Sequence, residues 1–165
     1  MKNNFVELSI STRDGKFIAH YSEKGLAEID WPKVGRASSR AAKKGIVSAK
    51  IKNWHRVTET ALKKILTGKK SKLPPLDWTG KTDFQKSVWR QMLKISTGKT
   101  KSYGEIASAI GNPKAVRAVG GACGANPVPV LVPCHRVLAA NHKLGGFSSG
   151  LDWKRSLLKR EGIHL

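Results

Sequence analysis

The chain has 165 residues, 39% of them apolar, and a formal net charge of +20 from 31 Lys and Arg against 11 Asp and Glu. That length allows one ordinary domain or two small ones with a real core, and no apolar run approaches the ~18–20 residues of a membrane span. The opening Met1-Lys2-Asn3-Asn4-Phe5 lacks the apolar stretch of an export signal, so an intracellular location is expected. Two cysteines in such a chain argue against a disulfide framework. The charge attracts polyanions, and nucleic acid is the commonest of these inside cells. Residues 1–75 carry 17 basic and 6 acidic groups and residues 76–165 carry 14 and 5, which excludes a basic tail on a neutral domain.

Val6, Leu8 and Ile10 alternate with Glu7, Ser9 and Ser11, the pattern of a half-buried strand. Arg13-Asp14-Gly15-Lys16 signals a hairpin, Phe17 to Tyr21 begins the return strand, and Leu26 to Trp31 supplies a third. From Trp31 to Thr58 there is no acidic residue, and Lys33 to Arg56 supply eight positive charges. The first part of that stretch is expected to be a mobile loop, either touching phosphates or simply solvated. Trp54, Val57, Thr58, Ala61, Leu62, Ile65 and Leu66 then fall at helical spacing, closed by Gly68. Gly68 to Gly80, with Pro74-Pro75, reads as a linker, which places a domain boundary between residues 75 and 76.

The second half opens on Thr82-Asp83-Phe84-Gln85, a capping box. The helix behind it has Phe84, Val88, Met92 and Ile95 as its stripe and is expected to end at Gly98. A short helix over Ser102–Ile110 stops at Gly111-Asn112-Pro113, and another is expected to run from about Pro113 to Ala125. Two short helices joined by a tight turn form a helix-turn-helix signature. Apart from Lys114 and Arg117, the second helix offers no side chain long enough to read a major-groove base edge. Its small residues, Ala118 and Gly120 among them, suit close approach to a minor groove, with Arg117 as an isolated wedge. The alternative is that a small-residue helix packs tightly against another helix.

Asn126 to Val137 is an apolar run broken by Pro127, Pro129 and Pro133, ending in Cys134-His135-Arg136. Proline fixes φ and cannot donate a backbone hydrogen bond, so the segment reads as a stiff, extended arm. The basic neighbours would favour the thiolate of Cys134, its nucleophilic form. In the plainer reading Cys134 is a small buried hydrophobe, His135 a core imidazole and Arg136 a surface charge. Ser148 to Gly162 reads as a capped amphipathic helix with Lys154, Leu157, Leu158 and Glu161 on related faces. Glu161 is a candidate to orient His135, as a carboxylate does in Cys-His-acid systems, or else a surface acid.

From about Asp77 to Gly162 these pieces resemble the O6-alkylguanine-DNA alkyltransferases, the methylated-DNA–protein-cysteine methyltransferases. The likeness rests on Phe84-Gln85 with Val88-Trp89, Ser102 to Ala107, Lys114 to Gly120, Asn126-Pro127-Val128-Pro129, Pro133-Cys134-His135-Arg136-Val137, Gly146-Phe147-Ser148, and Leu157-Leu158 with Glu161-Gly162. It implies an α+β fold. Residues 1–75 would form a small antiparallel sheet with a helix, RNase H-like, and residues 76–165 a mostly helical part with a winged-helix-like helix-turn-helix. It implies that Cys134 attacks the alkyl carbon on O6 of a guanine flipped from the minor groove of double-stranded DNA, once per molecule, with O4-alkylthymine a further substrate class.

His135, through a water, would take the thiol proton while Glu161 holds the imidazole, and Tyr103 would protonate the departing base. Arg117 would fill the gap in the duplex, with Lys114, Ala118, Gly120, Asn126 and Arg136 on the DNA side. Pro129, Val137, Phe147, Ser148 and Tyr103 would form the pocket. No cofactor is implied, and the N-terminal part lacks the Cys/His set that holds zinc in some members, so no metal is expected. Phe147 stands where a Tyr is common. The protein would act as a monomer, away from membranes; cooperation between neighbours on DNA is not fixed by the sequence. Two rivals stay open: a DNA-binding module that leaves the thiol idle, and a Cys-His hydrolase, which would need a base across the site and an oxyanion loop.

Overall fold

The alternating segment and its turn form the first hairpin: β1 (Val6–Thr12) pairs antiparallel with β2 (Gly15–Tyr21), in register from Val6 opposite Tyr21 to Thr12 opposite Gly15. A computed structural model describes residues 4–33 and 47–165 of the chain. β3 (Leu26–Asp30) adds antiparallel to β2, giving a sheet of order β1-β2-β3. The basic loop expected after Trp31 lies for the most part outside the described residues.

α1 (Ala49–Leu66) covers the sheet with Ile51, Trp54, Thr58, Ala61, Leu62, Ile65 and Leu66 buried. It begins earlier than its apolar stripe suggested, because the Ser48 side chain accepts from the Ile51 N–H and caps it. Gly68 follows its end at φ 74°, and a Cβ there would collide with the carbonyl oxygen of Arg160, so this glycine is required twice over.

The stretch expected to be a linker is tied to the sheet. Leu26 N–H donates to Pro75 O at 2.8 Å, Asp77 N–H donates to Leu26 O at 2.8 Å, and Leu76 bridges Leu26 in parallel. One hydrophobic cluster also runs from Ile10, Phe17 and Leu62 to Trp89, Val128 and Leu157, across residues 75 and 76. Pro and Lys content alone does not disclose such backbone pairing.

The Thr82–Gln85 capping box is present in full at the start of α2 (Asp83–Leu93), which buries Val88, Trp89 and Met92. The helix stops at Leu93, well before Gly98. Lys94 and Ile95 N–H groups turn to carbonyls three residues back, and the Ile95 carbonyl is taken by Arg136 Nη1 at 2.7 Å. A two-residue strand, β4 (Lys101–Ser102), leads into α3 (Tyr103–Ala109), whose N-cap Ser102 forms a second capping box with Glu105. α4 (Val116–Gly124) starts three residues after Pro113, because Asn112 to Ala115 form a turn closed by Ala115 N–H on Asn112 O at 3.0 Å. α3 and α4 pack together as the expected helix-turn-helix, and α4 is fastened to α2 by Trp89 Nε1 donating to Ala122 O at 2.8 Å.

After the Cys134 turn, β5 (Val137–Leu138) pairs in parallel with β4. α5 (Leu151–Arg160) closes the fold, burying Lys154, Leu157 and Leu158. Its N-cap is Gly150, which provides no side-chain cap, so the expected cap from the preceding serines is absent. Among the described residues no helix is long and apolar enough to cross a membrane. Among the described residues the result is an α+β fold with a three-stranded antiparallel sheet and five α-helices.

Candidate active site and nucleic-acid interface

The proline-broken segment is a knot of turns and not an extended arm. Val132 N–H reaches back to Val128 O at 2.9 Å, and Val130 sits at φ 71°, a conformation that β-branched residues avoid. Asn126 holds the knot closed: its Oδ1 accepts from Val128 N–H at 3.0 Å and its Nδ2 donates to Val132 O at 2.8 Å. Three prolines cannot contribute N–H groups to a ladder, so the segment satisfies itself through a side-chain amide instead. It delivers Cys134 onto a 3-10 turn, Cys134–Arg136, with 7% of the cysteine surface still exposed.

That turn sends His135 and Arg136 to the same carboxylate. His135 Nε2 lies 2.9 Å from Glu161 Oε1, and Arg136 Nε donates to Glu161 Oε2 at 2.9 Å while its Nη2 donates to Oε1 at 2.9 Å. Gly98 N–H adds a 3.2 Å bond to Oε2, and Arg136 also donates to Ile95 O and Thr97 Oγ1. Burial is the largest influence on Glu161 and opposes its charge. The hydrogen bonds from His135 and Arg136 outweigh it and bring the carboxyl down to about 2. His135 is fully buried, and desolvation pushes its pKa below the ordinary value despite the Glu161 bond.

A neutral imidazole beside an ionised acceptor must carry its proton on Nε2. Nδ1 is then a lone pair, and it is a buried polar atom with no hydrogen-bond partner among the described residues. The basic neighbourhood expected to favour the thiolate is weaker than its residue types suggest. Arg136 is neutralised by Glu161, His135 is uncharged, and burial pushes the Cys134 thiol up, opposed by the Asn126 side chain and the Lys154 charge. Arg136, expected on the DNA side, is 7% exposed, and four of its five N–H donors go to Glu161, Ile95 and Thr97.

Tyr103 is the first residue of α3, half-buried, its phenol pushed up by burial and by the nearby Cys123 and Cys134 thiols. It therefore keeps its proton. Gly145, at φ 69°, lies so close that an added Cβ would stand 2.8 Å from the Tyr103 hydroxyl. Lys154 escaped the site prediction, although a lysine inside an apolar helical stripe was a usable signal. Fully buried, its Nζ donates to Val137 O at 2.7 Å, to Leu144 O, and to Gly146 O at 3.3 Å. It also stands 5.9 Å from the ring centres of both Tyr103 and Phe147. Lys154 thus ties the Cys134 turn to the loop carrying Phe147. Of the other expected pocket residues, Pro129 and Val137 are buried and Ser148 is exposed.

Arg117 and Lys114 are exposed, as is Ala118, while Asn126 is half-buried. Cβ atoms added at Gly120, Gly121 or Gly124 would meet nothing within 4 Å. The glycines of α4 are therefore not demanded by packing inside the protein. What they leave is a smooth outer face with one long cation at its start. The α4 N-cap, Ala115, makes no side-chain cap bond.

Residues 83–163 match the family described as "6-O-methylguanine DNA methyltransferase, DNA binding domain". The chain is 60% identical over 81 residues to a methylated-DNA–protein-cysteine methyltransferase of Methanosarcina acetivorans, across 49% of this chain and 52% of that one. It thus spans about half the length of the curated relatives it matches. Likeness over nearly the whole chain comes from the crystal structure of the Mycobacterium tuberculosis O6-methylguanine methyltransferase, 32% identical with a TM-score of 0.71, covering 95% of this chain and 92% of that one. A structure of the same organism's protein in complex with DNA is 34% identical, also with a TM-score of 0.71, covering 93% and 90%.

Proposed function

The chain belongs to the O6-alkylguanine-DNA alkyltransferase family, and on that premise we propose that it repairs alkylated double-stranded DNA by moving the alkyl group from guanine O6 to Cys134. The observation that carries this is the Glu161–His135 pair, which leaves a buried Nδ1, unpartnered among the described residues, on the residue next to the sulfur.

The thiol proton passes through a water to His135 Nδ1, and the imidazolium so formed is stabilised by the Glu161 carboxylate. The sulfur attacks the alkyl carbon, a C–S bond forms and the C–O6 bond breaks. Tyr103 donates a proton to the guanine ring, so a neutral base leaves. The imidazolium and the Tyr103 phenolate left behind exchange one proton through solvent, so the proton lost by sulfur and the one gained by the base balance. Water does not displace a thioether, so each molecule reacts once.

Access to O6 requires the base to leave the stack, and the outer face of α4 suits this. Its small residues permit close backbone approach to a minor groove, and Arg117 fills the vacated space. Lys114 and the uncapped start of α4 serve phosphates. In this reading residues 1–75 are an accessory α/β part and residues 76–165 carry the transfer, with one chain acting per lesion. O4-alkylthymine is a second substrate class.

Incubation with duplex DNA bearing one O6-methylguanine, followed by intact-mass and peptide analysis, tests the proposal. One added methyl group on Cys134, and none with Cys134→Ser, is expected. Full binding with no change in protein mass would leave a damage-binding module and remove the transferase.

A further inference from the structure

β3 is the element by which the N-terminal half reaches both sides of the site. At its end, Ile29 N–H donates to the carbonyl of Pro127 at 2.8 Å, inside the knot that presents Cys134. Two residues on, Trp31 meets Phe147 edge to face, with ring centres 5.9 Å apart at 76°. Trp31 is itself held against Trp153 of α5 at 4.7 Å and against Phe17 of β2 at 5.7 Å, and Phe17 touches Trp153 at 6.2 Å. Phe147 is thus fixed from two directions. Lys154 holds its loop by the backbone and stands over its ring, and Trp31 supports the ring from the sheet.

Given the transfer reaction above, on which this rests, we infer that Trp31 is a positioning residue that sets how large an alkyl group the site takes, by fixing the Phe147 ring. Trp31 itself touches no substrate. Side chains in a close-packed cluster hold their neighbours' rotamers, and removing one lets the ring next to it move into the space. A small methyl group depends on a tight wall for its alignment with sulfur, whereas a bulky benzyl group gains from a wall that can retreat.

The test compares single-turnover rates on two duplexes, one carrying O6-methylguanine and one O6-benzylguanine, for the wild type and Trp31→Ala. The benzyl-to-methyl ratio is expected to rise by about threefold to tenfold in Trp31→Ala, and to return towards the wild-type value in Trp31→Phe, which restores an aromatic ring. If Trp31→Ala does not fold, Trp31→Leu carries the same comparison. A variant that slows both substrates by one common factor overturns the inference while leaving the transfer reaction intact. A wild type that takes up neither group overturns the reaction itself, and the inference with it.

Discussion

Replacing Glu161 by Gln removes one charge from a buried carboxylate that binds two side chains and a backbone N–H while nearly preserving its shape. Glu161 ionises at about 2 in the folded protein against an ordinary 4.5, which corresponds to roughly 3 kcal/mol of stability at neutral pH. The sign follows from the depressed value. That stability is full above pH 4.5 and fades as pH falls towards 2. Gln also leaves the Arg136 guanidinium buried without a counter-ion, and breaking a buried pair from one side typically costs about 3–5 kcal/mol. Both routes give a similar figure, so the melting temperature should drop by roughly 6–20 °C for a chain of this size. Thermal melts followed by circular dichroism across pH 2–7 read both effects, and the variant should lack part of the wild-type acid sensitivity. Alkyl transfer to free O6-benzylguanine at 25 °C should slow by about 100-fold or more, because the amide no longer fixes the proton on Nε2. A loss under about 1 kcal/mol, with acid sensitivity unchanged, would show that Glu161 is not the anchor described.

The pH dependence of transfer should show an acid limb set by His135 and lying below pH 6.5, since burial lowers its pKa; the rate is full above that value and lost as the ring protonates. An acid limb above 6.5 in a single-turnover profile would contradict a buried neutral base. Arg117→Ala should slow repair in duplex DNA much more than reaction with free O6-benzylguanine, and equal losses would remove the wedge role. Lys154→Met, which keeps the stem but strips donors from three carbonyls, should cost about 1–3 kcal/mol per buried acceptor left bare, less what water recovers. It should also slow transfer to free base, while a variant melting and reacting like the wild type would show that Nζ does not hold the pocket loop.

Local signals in the chain served well wherever a residue's partner was three or four positions away. The Thr82–Gln85 box and the β1–β2 hairpin are of this kind, since turn and cap chemistry act at short range. Cys134, His135 and Glu161 were readable as candidates, and the structure brings the last two to hydrogen-bonding distance. The internal partners of Arg136 were hidden for a reason of scale. A lone arginine beside a nucleophile looks like a DNA contact until Glu161, 25 residues on, is found to bind both its neighbour and itself. The electrostatics around the thiol were hidden for the same cause, because Glu161 offsets the Arg136 charge while burial pushes the thiol up. Lys154 and Trp31 were present as oddities, a lysine in an apolar stripe and a tryptophan ending a strand. Their meaning lies in contacts that span the chain.

The two-rung pairing of β4 with β5 sets Lys101 beside Val137 and Ser102 beside Leu138. Tyr103 sits one residue beyond one rung and Cys134 three residues before the other, so a backbone splint links the segments that carry phenol and sulfur. Lengthening the chain at 139–143 would be absorbed outside that splint. A single residue inserted between 134 and 137 would shift Cys134 against Tyr103, the proposed acid for the departing base, however well the remainder folded.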